Sequence, residues 1–72
     1  MQYQIFEHII NVENESIKTY GIVLYVDGCE AVRIHDVTTD YNAICELVVM
    51  LNEKRIDPFD LAKLVENFIN KN

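Results

Sequence analysis

The sequence predicts an α+β domain of β-β-β-α-α order: a three-stranded antiparallel meander followed by a two-helix hairpin packed on one face. Three observations carry this. Residues 1–37 are rich in Tyr, Ile, Val and Phe and are cut by Glu13-Asn14 and Asp27-Gly28. Apolar residues then change to spacings of three and four at Ile44, Leu47, Val48 and Leu51, and again at Leu61, Leu64, Val65 and Phe68. Between these stretches, Asp57-Pro58 marks a new helix start.

Met1 to Val12 reads as the first strand and Glu13-Asn14 as its turn. Ser16 to Val26 is the second strand, dense in β-branched and aromatic residues. Asp27-Gly28 suits a two-residue type I′ hairpin, which needs positive φ at both central positions. Cys29 to Val37 is the third strand. If both turns are two-residue loops, Ile10 opposes Ile17 and Phe6 opposes Gly21, where the ring can cover bare backbone. On the other side Val26 opposes Cys29, Leu24 opposes Ala31, Val23 opposes Val32 and Gly21 opposes Ile34.

This register sorts the sheet into two faces. Phe6, His8, Ile10, Val23, Tyr25, Val32 and Ile34 share one, and Tyr3, Ile5, Tyr20, Ile22, Leu24, Val26, Arg33 and His35 share the other. Val32 and Ile34 alternate with Arg33 and His35, so the first face is expected to meet the helices, with Gly21 allowing close approach. The second face is then more apolar than a solvated face of an antiparallel sheet requires. Tyr3, Ile5, Tyr20, Ile22, Leu24 and Val26 are therefore expected to form an interface.

Thr38 to Arg55 is the first helix, with Thr38, Thr39 or Asp40 as its cap. Tyr41 and Cys45 widen its core stripe toward the second helix, while Val49 and Met50 fall on flanks that are normally polar. They form a second candidate surface. The second helix has Asp57 as N-cap, Pro58 at the first helical position and Lys71 near its C-terminus, where a cation suits the dipole.

At 72 residues the chain is read as one domain, 1–72, with a modest core that self-association would help to stabilise. Its formal charge of −6 lacks the basic footprint of a nucleic-acid binder and disfavours an anionic membrane surface. No apolar run approaches the ~20 residues of a membrane span, and the N-terminus lacks the basic region of a signal peptide. The two cysteines, Cys29 and Cys45, suit a reducing compartment, so a cytoplasmic location is expected.

No residue set amounts to a reaction. His8 and His35 are placed on opposite faces, and no metal-ligand spacing occurs. Cys29 sits in an acidic setting between Asp27 and Glu30, which works against thiolate formation. Carboxylate pairs are the remaining arrangement for acid–base catalysis, but Asp36/Asp40 bracket a turn and Asp57/Asp60 a helix start, and each pair reads as caps. No catalytic residue, metal or cofactor is expected.

Three segments carry a resemblance to a family: YGI at Tyr20 to Ile22, IHDVTTD at Ile34 to Asp40, and LNEKRIDPFDLAKLVENFI at Leu51 to Ile69. Together they resemble a family of short uncharacterised bacterial proteins, a domain of unknown function found mainly in clostridia-like Gram-positive bacteria. The resemblance covers roughly the C-terminal three-quarters of the chain. It departs at Phe59-Asp60, where a His is expected beside the proline segment. It implies a bacterial cytoplasmic protein and brings no activity, ligand or catalytic residue.

The function expected from these readings is a non-enzymatic protein–protein interaction module, acting as a homodimer, adaptor or regulator. The alternative is a small-ligand sensor with a pocket between sheet and helices, lined by Tyr25, Tyr41, Cys45 and His8.

Overall fold

The structure, a computed structural model, describes residues 1–71, the side chain of Lys71 excepted; the expected dipole contact of that side chain thus lies outside the described residues. The order is β1 (Gln2–Val12), β2 (Glu15–Val26), β3 (Cys29–Thr38), α1 (Tyr41–Glu53) and α2 (Pro58–Lys71), as the sequence predicts. The sheet is an antiparallel meander, β1-β2-β3, and both helices pack on one face of it.

Both hairpin turns hold two residues with positive φ: Glu13 (49°) and Asn14 (68°), then Asp27 (53°) and Gly28 (80°). These are the left-handed conformations that a tight hairpin requires. The β1–β2 register is the expected one, with Ile10 opposite Ile17 and Phe6 opposite Gly21. Gly21 is obligatory here. A Cβ at this position would stand 2.2 Å from the Ile34 carbonyl oxygen and 2.7 Å from the Phe6 ring. The expectation that Gly21 admits a helix is corrected: what lies against it is the Phe6 ring and the β3 backbone.

The β2–β3 register differs from the expectation, and the difference has a large consequence. Val26 opposes Cys29 and Tyr25 opposes Glu30, but Leu24 opposes Val32, Val23 opposes Arg33 and Ile22 opposes Ile34. Ala31 is the extra residue of a β-bulge. Because side chains alternate with period two, one inserted residue moves the rest of β3 to the opposite face. Val32 and Ile34 do mark the helix-covered face, but they join Ile22 and Leu24 there instead of Val23.

The core is therefore built on the face that the sequence reading left bare. Tyr3 (2% exposed), Ile22 (0%) and Leu24 (0%) pack with Ile44, Leu47, Val48 and Leu51 of α1 and with Leu61 and Val65 of α2. Ile5, Tyr20, Val32, Ile34 and Met50 pack half-buried against this cluster.

A second irregularity follows. Between the Ile22–Ile34 and Tyr20–Thr38 pairs, His35, Asp36 and Val37 all oppose Gly21. Asp36 takes a left-handed φ of 55° to accommodate the excess. Val37 turns into the core at 7% exposure, while His35 and Asp36 reach the other face.

Helix α1 starts later than Thr38. Asp40 is the N-cap, its carboxylate accepting the Ala43 N–H at 3.2 Å, and Thr38 Oγ1 accepts the Asp40 N–H at 3.1 Å. At its C-terminus the Ile56 N–H reaches Leu51 O (3.1 Å) and the Arg55 N–H reaches Asn52 O (3.3 Å). This is a Schellman closure, with Arg55 (φ 50°) at the position usually held by glycine and Ile56 folded back onto the core. Asp57 caps α2 through the Phe59 N–H at 2.8 Å.

The α1–α2 loop is tied to the start of β1. Tyr3 Oη donates to Ile56 O (2.6 Å), and the Asn52 side-chain amide pairs with both Tyr3 N–H (2.8 Å) and Tyr3 O (2.9 Å). Burial, and then the nearby Asp57 carboxylate, push the Tyr3 phenol above its ordinary pKa. It stays protonated and able to donate.

Candidate functional site: the uncovered sheet face

The face away from the helices carries a connected cluster. Its centre is Phe6, whose ring lies over Gly21. The Arg33 guanidinium lies 4.7 Å from the Phe6 ring centroid, and His35 meets the same ring edge-on at 5.1 Å. His8 meets His35 edge-on at 5.5 Å. Without the β-bulge at Ala31, neither Arg33 nor His35 would lie on this face, so that bulge assembles the cluster.

Asp36 joins it from the second irregularity. Its carboxylate accepts from Thr19 Oγ1 and from His8 Nδ1, the latter at 3.0 Å. The Thr19 hydroxyl and then His8 hold the Asp36 carboxyl below its ordinary pKa. The carboxylate is thus ionised at neutral pH, which makes His8 Nδ1 the donor. Glu30 binds Arg33 through both Nε and Nη2, and the Arg33 hydrogen bond lowers the Glu30 pKa. Glu30 and Arg33, and Asp36 and His8, therefore orient one another.

Apolar residues surround these pairs. Ile10, Ile17 and Tyr25 are half-buried, and Val23 is 3% exposed with no helix above it, between Gln4 and Arg33. An Arg, two His and several aromatic and aliphatic residues with few free charges resemble the composition of a protein interface core.

The residues expected to form the interface are placed differently. Tyr3, Ile22 and Leu24 are buried under the helices, and Ile5 and Tyr20 are half-buried against the same core, so these five are corrected from interface to core. Val26, at the sheet end, is 36% exposed. Val49 is 53% exposed on α1, and Met50 is half-buried against the core. Both line a shallow groove of about 330 Å³ with Cys45, Glu46 and Glu53.

Tyr41 does not meet α2. It packs edge-on against Tyr20 at 5.3 Å and is 53% exposed. The residues considered for a ligand pocket separate likewise: Tyr25 and His8 lie on the uncovered face, Tyr41 and Cys45 on the helix side. The carboxylates considered for catalysis also have separate tasks. Asp40 caps α1, whereas Asp36 binds Thr19 and His8. His8 and His35, expected on opposite faces, are neighbours. The pairing of Phe6 with Gly21 is the sequence signal for the centre of this face; the signal for the bulge is the break in alternation at Ala31-Val32, which an unbroken register passes over.

Among the described residues, no group of three or more His, Cys, Asp and Glu side chains is arranged to hold a metal ion, and no helix is long and apolar enough to cross a membrane. No protein family, curated protein or solved structure matches the chain.

Proposed function

We propose that the chain is a small non-enzymatic protein-interaction module, a dimeric adaptor or regulator, whose docking surface is the uncovered sheet face. The observation that supports this is a sheet with helices on one side only, whose other side presents the half-buried Phe6, Ile10, Ile17 and Tyr25 among paired charges. An antiparallel sheet face exposed to water throughout its life would be expected to alternate to small polar residues. Ordered pairs such as Glu30–Arg33 and Asp36–His8 lower the entropy lost when these side chains become an interface. The cluster lies on an open face, not in a cleft that would exclude water from a reaction.

Site-specific photo-crosslinking in the producing cell tests the reading. A photoreactive phenylalanine analogue at Tyr25 is expected to give a discrete protein adduct, and the same analogue at the exposed loop residue Lys54 is expected to give none. The absence of an adduct from Tyr25, or equal adducts from both positions, overturns it.

A further inference from the structure

The open edge of β1 provides a second surface, and its neighbours specify what fits there. In an antiparallel ladder, successive residues turn their N–H and C=O groups alternately toward and away from the partner strand. The outward groups of Tyr3 are both taken by the Asn52 amide. By alternation, those of Ile5, Glu7, Ile9 and Asn11 also point away from β2, and among the described residues no partner in the chain meets them. The strand runs for 11 residues without a bulge or proline, and Glu7 is its only charged residue apart from the titratable His8. Such an edge is normally blunted by one of these devices.

Helix α1 overhangs this edge. At about 100° per residue, Tyr41, Cys45, Val49 and Asn52 fall on one flank of α1, beside the buried stripe of Ile44, Leu47, Val48 and Leu51. Asn52 touches the outward side of Tyr3, so the C-terminal end of this flank, with Val49, stands toward the β1 edge, while Tyr41 at its other end packs on Tyr20 of β2. Tyr41 and Val49 are each 53% exposed. Edge and flank together form a trough with a hydrogen-bonding floor and an apolar wall, closed at the Tyr3 end by the Asn52 amide.

We propose that a second copy of the chain fills this trough, with β1 pairing antiparallel to β1 across a two-fold axis to make a continuous six-stranded sheet. The axis passes between the two His8 residues. In this register Ile5 pairs with Asn11 of the other copy, Glu7 with its Ile9, and Phe6 with its Ile10. Ile9, 59% exposed in the single chain, is then set beside Glu7 of the other copy, on the side of the sheet that carries α1. On the uncovered face the Phe6–Ile10 pairs join the two clusters across the seam. Neighbouring registers are excluded by chemistry. Shifting one way sets Glu7 directly against Glu7, and shifting further sets Ile9 against Tyr3, whose outward groups Asn52 already occupies. Shifting the opposite way leaves Ile5 outside the new ladder. A two-fold contact of this kind is self-complementary and closes at two copies.

This assembly rests on the interaction-module reading only for self-association; the Tyr25 crosslink tests the sheet face separately. Sedimentation velocity over a range of concentrations is expected to show a dimer. Ile9→Pro removes an outward N–H without touching the β1–β2 ladder, and is expected to give a folded monomer by circular dichroism. Should that variant fail to fold, Ile9→Lys is expected to weaken dimerisation at least tenfold. With Cys29 and Cys45 replaced by Ser, His8→Cys is expected to form an inter-chain disulfide under mild oxidation, because residues facing each other at a non-hydrogen-bonded site lie within disulfide reach. Glu7→Cys in the same background is expected not to. A wild-type monomer at all concentrations, a dimer unaffected by the Ile9 variants, or crosslinking of Glu7→Cys in place of His8→Cys overturns the proposal.

Discussion

Arg55 holds a backbone conformation that suits glycine. Its φ of 50° closes α1, and the Schellman bonds from Arg55 and Ile56 depend on it. An L-residue in this region is disfavoured by roughly 1 kcal/mol, so Arg55→Gly is expected to stabilise the fold by about that amount. In a domain of this size that corresponds to a rise in Tm of roughly 4–8 °C in a thermal melt. Asp36 is the residue at which stability couples to pH. Its folded pKa lies below its ordinary 3.8 because Thr19 and His8 bind the ionised form. A depressed carboxylate pKa contributes stability that is present above the unfolded value and is lost as pH falls through the folded one. The wild type should therefore lose stability as pH falls below about 4, and Asp36→Asn should show a shallower acid limb there when Tm is followed against pH.

The sheet owes its two faces to one inserted residue in β3. Ala31 shifts every later side chain, and His35 to Val37 add a second excess opposite Gly21. Gly21→Ala sets a Cβ against both the Ile34 carbonyl and the Phe6 ring. It is expected to destabilise by about 1–3 kcal/mol, read as a lower urea midpoint, and to disturb the Phe6–His35 contact. This element also shows what was legible in the sequence. The Asp27-Gly28 turn, the β1–β2 register and the helix stripes each follow from local residue chemistry. Val32 and Ile34 were correctly read as helix-facing. The bulge left one mark, the break in alternation at Ala31-Val32 that puts Glu30 out of phase with Arg33 and His35, but a two-residue apolar step is common in strands and Ala31 carries no conformational signature. A clean register carried through it inverts the faces of β1 and β2, and so Tyr3, Ile22 and Leu24 were read as surface. The His8–Asp36–His35 arrangement was hidden for the same reason.

For the whole molecule, the inversion simplifies the energetics. The most apolar face of the sheet is the one covered by helices, and Tyr3, Ile22, Leu24, Ile44, Leu51 and Leu61 are its fully buried side chains. No buried side-chain polar atom among the described residues lacks a hydrogen-bond partner. What remains exposed is a mixed face centred on Phe6 and an unpaired β1 edge beneath an apolar helix flank. Both are the surfaces proposed above for association. The assignment of the faces underlies both, and thiol labelling tests it most directly. With Cys29 and Cys45 replaced by Ser, a cysteine is placed at Leu24 or at Tyr25, adjacent residues on opposite faces of β2. The account predicts that Tyr25→Cys reacts with an aqueous thiol reagent in the folded protein, while Leu24→Cys reacts only as fast as the domain unfolds. Rapid labelling of Leu24→Cys together with protection of Tyr25→Cys would contradict it.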